Sequence, residues 1–198
     1  MSVELLSVAI SVAVIVLLLL IVVVIRRKRR YSSTRHLTSI LQPYIRDEIT
    51  HFIIPDGIGG LIEIEYLAQM DQGLLLIETY PISGNLFGAE NIDLWTQIVD
   101  GRSYKFSNPL RHIRASRQAI KSILPNIPIF CRVVFTADSL FPKGKPEEVS
   151  LLKNLAEDLS KIKDAPAIVN RTQAGWDSLL RIARKDGQAV QRGAGVDG

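Results

Sequence analysis

The longest hydrophobic run of the chain lies near its N-terminus, where 21 residues from Leu5 to Ile25 carry no charge. As a helix this run would span roughly 31 Å, and the hydrocarbon core of a bilayer is about 30 Å thick. Its only polar residues are Ser7 and Ser11, so it has no polar stripe of the kind that a soluble helix shows. Five basic residues at positions 26–30 follow it directly. The pattern predicts a transmembrane anchor over residues 1–30.

A cleaved signal peptide is the competing interpretation of this run. Such a peptide has a basic start, a shorter apolar stretch and small residues at its cleavage site. Here Glu4 is the only charge before the run, and Ile25 is followed by Arg26. Basic residues beside an apolar helix favour the cytoplasmic side. We therefore expect a single-pass protein of the plasma (inner) membrane, with its N-terminus outside and the following domain in the cytoplasm.

After a short linker at residues 31–36, the polar and apolar positions predict a domain of mixed helices and strands. Alternating or β-branched runs predict strands at Ile49–Ile54, Leu61–Ala68, Leu74–Tyr80, Trp95–Ile98, Tyr104–Phe106 and Ile129–Thr136, with a loop at Pro81–Gly88. Helical spacing predicts helices at Leu37–Leu41, Asn108–Leu124, Glu147–Ile162 and Thr172–Lys185. This order indicates an α/β domain with a central sheet flanked by helices. We place the domain at residues 37–150, further helices at 151–185 and a disordered Gly-rich tail at 186–198.

Charge changes this picture in one respect. The formal net charge of +4 comes from the N-terminal segment, because residues 31–198 hold 19 Lys and Arg against 19 Asp and Glu. Within that neutral part, residues 31–100 hold ten acids and two bases, whereas residues 101–137 hold seven bases and no acid. The asymmetry indicates either charge pairing that holds one domain together or acids beside a phosphate-binding face. Cys131 is the only cysteine, which excludes an intramolecular disulfide and suits a cytoplasmic domain.

Two glutamates are the candidate metal ligands. If the turn between the second and third predicted strands centres between Asp71 and Gln72, Glu65 lies opposite Glu78. Opposed like charges are destabilising unless a cation, a shared proton or separate solvation relieves them. Mg²⁺ or Mn²⁺ would suit two carboxylates, whereas independently solvated surface acids are the alternative. A register slip of one residue would remove the pairing.

The helix after Asn108 is predicted to carry a basic face. Arg111, Arg114, Arg117 and Lys121 fall on one side of it, and apolar residues fall on the other. This basic face is a solvated surface, a contact for nucleic-acid phosphates, or a contact for the anionic headgroups of the membrane. His112 projects toward the packed side and is either a histidine at the edge of the core or a site residue.

In order and spacing, these motifs resemble the nuclease-related domain (NERD) family over about residues 34–150. The motifs are Ile64-Glu65, Leu74–Thr79, Gly84, Phe87-Gly88, Trp95, Phe106–Arg111, Val133–Phe135, Phe141 and Pro146–Val149. The resemblance implies a restriction-endonuclease-like fold and a site of the PD-(D/E)xK type. In that site, acids bind a divalent ion that activates water, and a lysine assists.

The chain departs from the family pattern at its catalytic positions. Ser33-Thr34 stands where the family has an acid on the first helix, Glu65 replaces an aspartate, and Glu78 is kept. Tyr80 replaces the lysine and cannot supply its positive charge. His112 stands where the family has glutamine. We predict a degenerate catalytic set at Glu65, Glu78, Tyr80 and His112, with Glu65 and Glu78 as the candidate Mg²⁺ or Mn²⁺ ligands.

Three functions remain open from the sequence. The first is a membrane-anchored NERD domain with an eroded nuclease site, which binds DNA, RNA or a protein partner at the cytoplasmic face of the membrane. The second is an active, Mg²⁺- or Mn²⁺-dependent nuclease with a rewired site. The third is a membrane-tethered assembly protein that contacts a partner through its C-terminal helices.

Overall fold

The computed structural model describes residues 16–17, 20–21 and 35–185. The predicted anchor Leu5–Ile25 therefore lies outside the described residues except for Val16, Leu17, Leu20 and Ile21, which are helical and exposed. The basic residues 26–30 and the tail at 186–198 also lie outside them. Among the described residues, no helix has both the length and the apolar character needed to cross a membrane.

Residues 40–185 belong to one compact unit. Its strands, in chain order, are β1 (Asp47–Pro55), β2 (Leu61–Gln69), β3 (Leu74–Tyr80), β4 (Gly84–Phe87), β5 (Leu94–Val99), β6 (Arg102–Ser107), β7 (Ile129–Phe135), β8 (Ser139–Leu140), β9 (Val149–Leu151) and β10 (Arg184–Lys185). The helices are α1 (residues 35–41), α2 (Pro109–Ile123), α3 (Leu155–Ser160) and α4 (Val169–Ile182), with 3₁₀ turns at Leu152–Asn154 and Lys161–Asp164.

The strands form two sheets. The larger has the order β10-β1-β2-β3-β7-β9, with antiparallel pairing from β10 to β3 and parallel pairing of β3 with β7 and of β7 with β9. The smaller has the order β6-β5-β4-β8. The smaller sheet's first three strands and α2 lie in the connection between the parallel neighbours β3 and β7. The predicted mixed α/β fold, a central mixed sheet flanked by helices, is confirmed.

Helix α2 packs across the larger sheet and connects it to the core. Leu110, Ile113, Ala119 and Ile120 are fully buried on one side of the helix, as the predicted apolar face requires. They share a core cluster with residues of β1, β2, β3 and β7. Burial of each leucine or isoleucine side chain contributes about 1.5–3 kcal/mol. This packing fixes the position of every side chain on the opposite face of α2.

Asn108 starts α2 and also ties it to the smaller sheet. Its Oδ1 accepts a hydrogen bond from the backbone N–H of Leu110, 2.9 Å away, so it is the predicted N-cap. Its Nδ2 lies within hydrogen-bonding distance of the carbonyls of Ala89, Glu90 and Ile92. The Asn108 side chain therefore caps the helix and also holds the loop before β5 by hydrogen bonds.

Several elements differ from the sequence prediction. The helix predicted at Thr172–Lys185 spans Val169–Ile182, and Arg184–Lys185 forms β10 beside β1. The helix predicted at Glu147–Ile162 is wrong in its first half, because Val149–Leu151 forms β9 beside β7 and only Leu155–Ser160 is α-helical. Pairing with the free edge of β7 outweighs the local helical spacing. The loop predicted at Pro81–Gly88 contains the four-residue strand β4. That strand pairs with the next strand, β5, and with β8, which is distant in sequence.

Candidate active site

The predicted register of the β2–β3 hairpin is confirmed over its paired length, from Gln69 opposite Leu74 to Tyr66 opposite Ile77. The next pair in that register would be Glu65 with Glu78, but the ladder ends one step before it. The two glutamates therefore lie at the point where β2 leaves β3. Their environments differ, and each is set by a different neighbour.

Glu65 takes the place of the missing ladder bond. Its carboxylate accepts a hydrogen bond from the backbone N–H of Thr79 at 3.0 Å and another from the Thr79 hydroxyl at 2.5 Å. These two hydrogen bonds hold the Glu65 carboxylate against β3. The Glu65 side chain thus links β2 to β3 at the point where their main chains no longer pair.

Glu78 is buried, with 4% of its surface exposed, at the other side of this junction. Its Oε1 lies 2.6 Å from Nδ1 of His112, which reaches it from the first turn of α2. The hydroxyl of Ser116 lies 3.4 Å from the same oxygen, and the hydroxyl of Tyr80 lies 3.4 Å from Oε2. Burial raises the pKa of Glu78, and the neighbouring charge of Glu65 raises it further, while the bond to His112 opposes the rise.

His112 lies on the predicted side of α2 but is not part of the core. Its ring touches the buried Glu78, yet 57% of its side chain is exposed. Helix α2 thus brings the candidate residues Glu78 and His112 together across a separation of 34 positions. A neutral or charged imidazole at this place can donate to the carboxylate while its other nitrogen remains near solvent.

Tyr80 points toward Glu78 from the same strand. Its ring packs on Phe135 with centroids 5.8 Å apart. Burial and the charges of Glu78 and Glu65 raise the pKa of its hydroxyl, so it stays protonated at neutral pH. The group that replaces the family's lysine is therefore a neutral hydrogen-bond donor.

The carboxylates of this donor set are engaged by protein groups as they are arranged. Within residues 35–185, no three His, Cys, Asp or Glu side chains come together in a way that could hold a metal. Both oxygens of Glu65 bond to Thr79, and Glu78 is committed to His112. Mg²⁺ requires near-octahedral oxygen ligands. The Ser33-Thr34 position of the family's third acid lies outside the described residues.

The basic face of α2 is opposed by acids from other elements. Arg111 pairs with Asp93, and Arg114 pairs with Glu90 at 3.1 Å and with Glu148 at 2.7 Å. Arg117 lies 3.4 Å from the other Glu148 oxygen. Lys121 is exposed and has no ion pair within the described part of the chain. Three of the four predicted phosphate-contacting bases are thus neutralised within the domain.

Sequence reasoning did not single out Glu148, Thr79 or Ser116, although each contacts a candidate site residue. Glu148 was predicted to lie in a helix, whereas it precedes β9 and reaches back to α2. Ser116 offered a weak signal, since it lies four positions after His112 and so on the same helical face. Thr79 offered none, because its role depends on the divergence of β2 from β3.

One comparison with known proteins identifies a family for this chain. The family described as nuclease-related domain, NERD, matches residues 35–136, just over half of the chain's 198 residues. No curated protein and no solved structure was found to match the chain. The matched range contains Glu65, Glu78, Tyr80 and His112, together with the whole of α2 and β7. The protein therefore belongs to the NERD family.

Proposed function

We propose that this protein is a membrane-anchored NERD domain whose nuclease site no longer catalyses hydrolysis and which acts as a binding module at the cytoplasmic face of the membrane. The observation that carries the proposal is the bond between Glu78 and His112. It engages the one family carboxylate that the chain keeps unchanged, and Tyr80 stands beside it in place of a lysine.

Catalysis by this family's mechanism needs a metal-bound water and a cation near it. Glu65 is bonded to Thr79, and Tyr80 carries no positive charge near neutral pH. The site therefore retains acids but lacks the arrangement that would present them to an ion. The core and cap residues that form the fold, including Trp95 and Asn108, are buried and hydrogen-bonded.

The nuclease assay uses the full chain in detergent, with DNA and RNA substrates and with Mg²⁺ or Mn²⁺. We expect no cleavage above background. Cleavage that Glu78→Ala abolishes would overturn the proposal and establish the rewired metal-dependent nuclease instead. A Glu65→Asp, Tyr80→Lys double variant restores two family side chains, and its activity would show whether their loss accounts for inactivity.

The anchor is tested separately. The run Leu5–Ile25 supports it, together with the basic residues 26–30. An arginine near the centre of a transmembrane helix costs about 2.5–3.5 kcal/mol on insertion scales. We expect the full chain to remain in membranes after alkaline carbonate extraction. We expect the Leu17→Arg, Leu20→Arg double variant to be released, and equal retention of both chains would contradict the proposal.

A nucleic-acid ligand is a second candidate for the binding module. It is supported by the basic face of α2, where Arg111 keeps 64% and Arg117 keeps 42% of its side chain exposed. A phosphate backbone would have to displace Asp93 from Arg111, Glu90 from Arg114, and Glu148 from Arg114 and Arg117. Such binding would be weak and strongly salt-dependent. A protein partner at the C-terminal helices is the remaining alternative, to be tested if polyanions do not bind.

A further inference from the structure

The connection between β1 and β2 presents the most exposed large hydrophobic side chain among the described residues. Ile58 is 91% exposed, and Leu61 at the start of β2 is 66% exposed. Single exposed apolar residues are ordinary on protein surfaces. An isoleucine that is almost entirely exposed at the tip of a hairpin is less ordinary, because its side chain could instead pack against the adjoining strands.

The loop is built to hold Ile58 outward. The Oδ1 atom of Asp56 accepts hydrogen bonds from the backbone N–H groups of Ile58 at 2.9 Å and Gly60 at 2.8 Å. The N–H of Asp56 donates in turn to the carbonyl of Gly60 at 3.1 Å. Gly57 and Gly59 have φ of 84° and 100°, a region that favours glycine. The conformation is thus specified by the sequence of the loop.

This loop also lies against the end of α2. A Cβ on Gly57 would stand 3.0 Å from the Ser122 hydroxyl, so the two segments are in close contact. The preceding residue, Lys121, is the base of the α2 basic face that has no ion pair in the described part of the chain. Other charges near the hairpin are Asp56, which is committed to the loop, and Glu63, which faces His51 at 3.7 Å.

We propose that the Ile58 loop inserts into the interfacial layer of a lipid bilayer, with Lys121 placed to meet anionic headgroups. Apolar side chains that enter the interfacial layer and basic side chains that meet anionic headgroups both favour binding to a membrane surface. The occupant is inferred from the chain's own Leu5–Ile25 run and short linker, which would keep the domain within a few tens of Å of a bilayer. This inference rests on the proposed anchoring.

The test uses the full chain reconstituted into phosphatidylcholine vesicles, with or without phosphatidylglycerol. An environment-sensitive fluorophore is attached to Ile58→Cys and, as the matched control, to Asn91→Cys in the exposed loop before β5. The wild-type chain controls for labelling of Cys131, which is buried. Because Ile58 makes few contacts, its substitution leaves the fold intact, and the intrinsic fluorescence of the tryptophans checks this.

The expected result is a blue-shifted emission at position 58 that brominated lipids quench, with neither effect at position 91. Lys121→Ala should reduce the quenching only in vesicles that contain phosphatidylglycerol. If the chain resists carbonate extraction but the probe at position 58 is not quenched, the proposed insertion of the loop is overturned and the proposed anchor is retained. A blue shift without lipid quenching would assign the loop to a protein contact and also overturn it. Release of the whole chain by carbonate, with an unquenched probe, would reject both proposals.

Discussion

His112 and Glu78 are joined by a contact of 2.6 Å between Nδ1 and Oε1, although one side chain is half exposed and the other is buried. The carboxyl is buried, so its protonated form is favoured. The imidazole, by contrast, favours the ionised carboxylate. The balance between them makes the stability of the domain depend on pH.

A carboxyl whose pKa is raised in the folded state binds more proton there than in the unfolded chain. The free energy of unfolding should therefore fall as the pH rises from about 4, the ordinary range of glutamate, through the folded-state pKa. Glu78→Gln should remove this fall, and His112→Ala should extend it to higher pH, because it removes the group that lowers the pKa. Urea unfolding followed by the fluorescence of buried Trp95 and Trp176 measures this directly. A wild-type pH profile identical to that of Glu78→Gln would contradict it.

Asn108 should not tolerate aspartate, although the two residues are about equally good at ordinary N-caps. The Nδ2 of Asn108 faces three carbonyls, so a carboxylate there would place negative charge against them. We expect Asn108→Asp to lower the free energy of unfolding by at least about 2 kcal/mol at neutral pH, with partial recovery in acid. Equal stability of the aspartate variant and the wild type in thermal unfolding would show that only the cap matters.

Two glycines should respond differently to alanine. A Cβ on Gly88 would overlap the ring of Trp95, which is fully buried among Phe106, Phe135 and Phe141. We expect Gly88→Ala to cost about 1–3 kcal/mol, as overpacking usually does.

At Gly175 in α4, the Cβ would meet only the tip of the flexible Ile127 side chain. Alanine also gains about 0.5–1 kcal/mol over glycine within a helix. The change in unfolding free energy for Gly175→Ala should therefore stay within about 1 kcal/mol of zero. A loss as large as that for Gly88→Ala would mean that the Ile127 contact is rigid.

Glu148 controls how much of the α2 basic face is available to a polyanion. Glu148→Gln should release Arg117 and remove one of the two acids that pair with Arg114. It should therefore strengthen binding to duplex DNA and steepen its dependence on salt by about one to two released counterions. Glu147→Gln is the matched control, since it removes the same charge from the neighbouring exposed residue. Fluorescence anisotropy over a salt series provides the measurement. Equal effects of the two variants would argue against a specific role of the basic face.

Local sequence signals predicted much of the fold because buried positions repeat at short intervals along a strand or a helix. The β2–β3 register followed from one turn, and α2 followed from its cap and its apolar face. The strands β4, β8 and β9 were not predictable in this way, because each has at most four residues and depends on a distant partner. Their pairing is a property of the assembled sheets.

For the candidate site, the residues themselves could be predicted, but their contacts could not. The sequence pointed to Glu65, Glu78, Tyr80 and His112, and the structure brings Glu78, Tyr80 and His112 into contact. It could not reveal that Glu65 bonds to Thr79, because that depends on where two strands separate. Charge pairing of the basic segment was one of the two sequence interpretations, but the part of Glu148 in it could not be foreseen, since Glu148 comes from the far edge of the sheet.

The short outer strands of the two sheets affect how copies of this protein meet when they are crowded together. In the described part of the chain, the larger sheet ends in β10 and β9, of two and three residues, and the smaller sheet ends in two-residue β8. The remaining outer strand, β6, carries Arg102 and Lys105. Long apolar edges pair readily with other chains, whereas short or charged ones resist it. If many copies share the plane of one membrane, these edges let them diffuse past one another without joining into a continuous sheet.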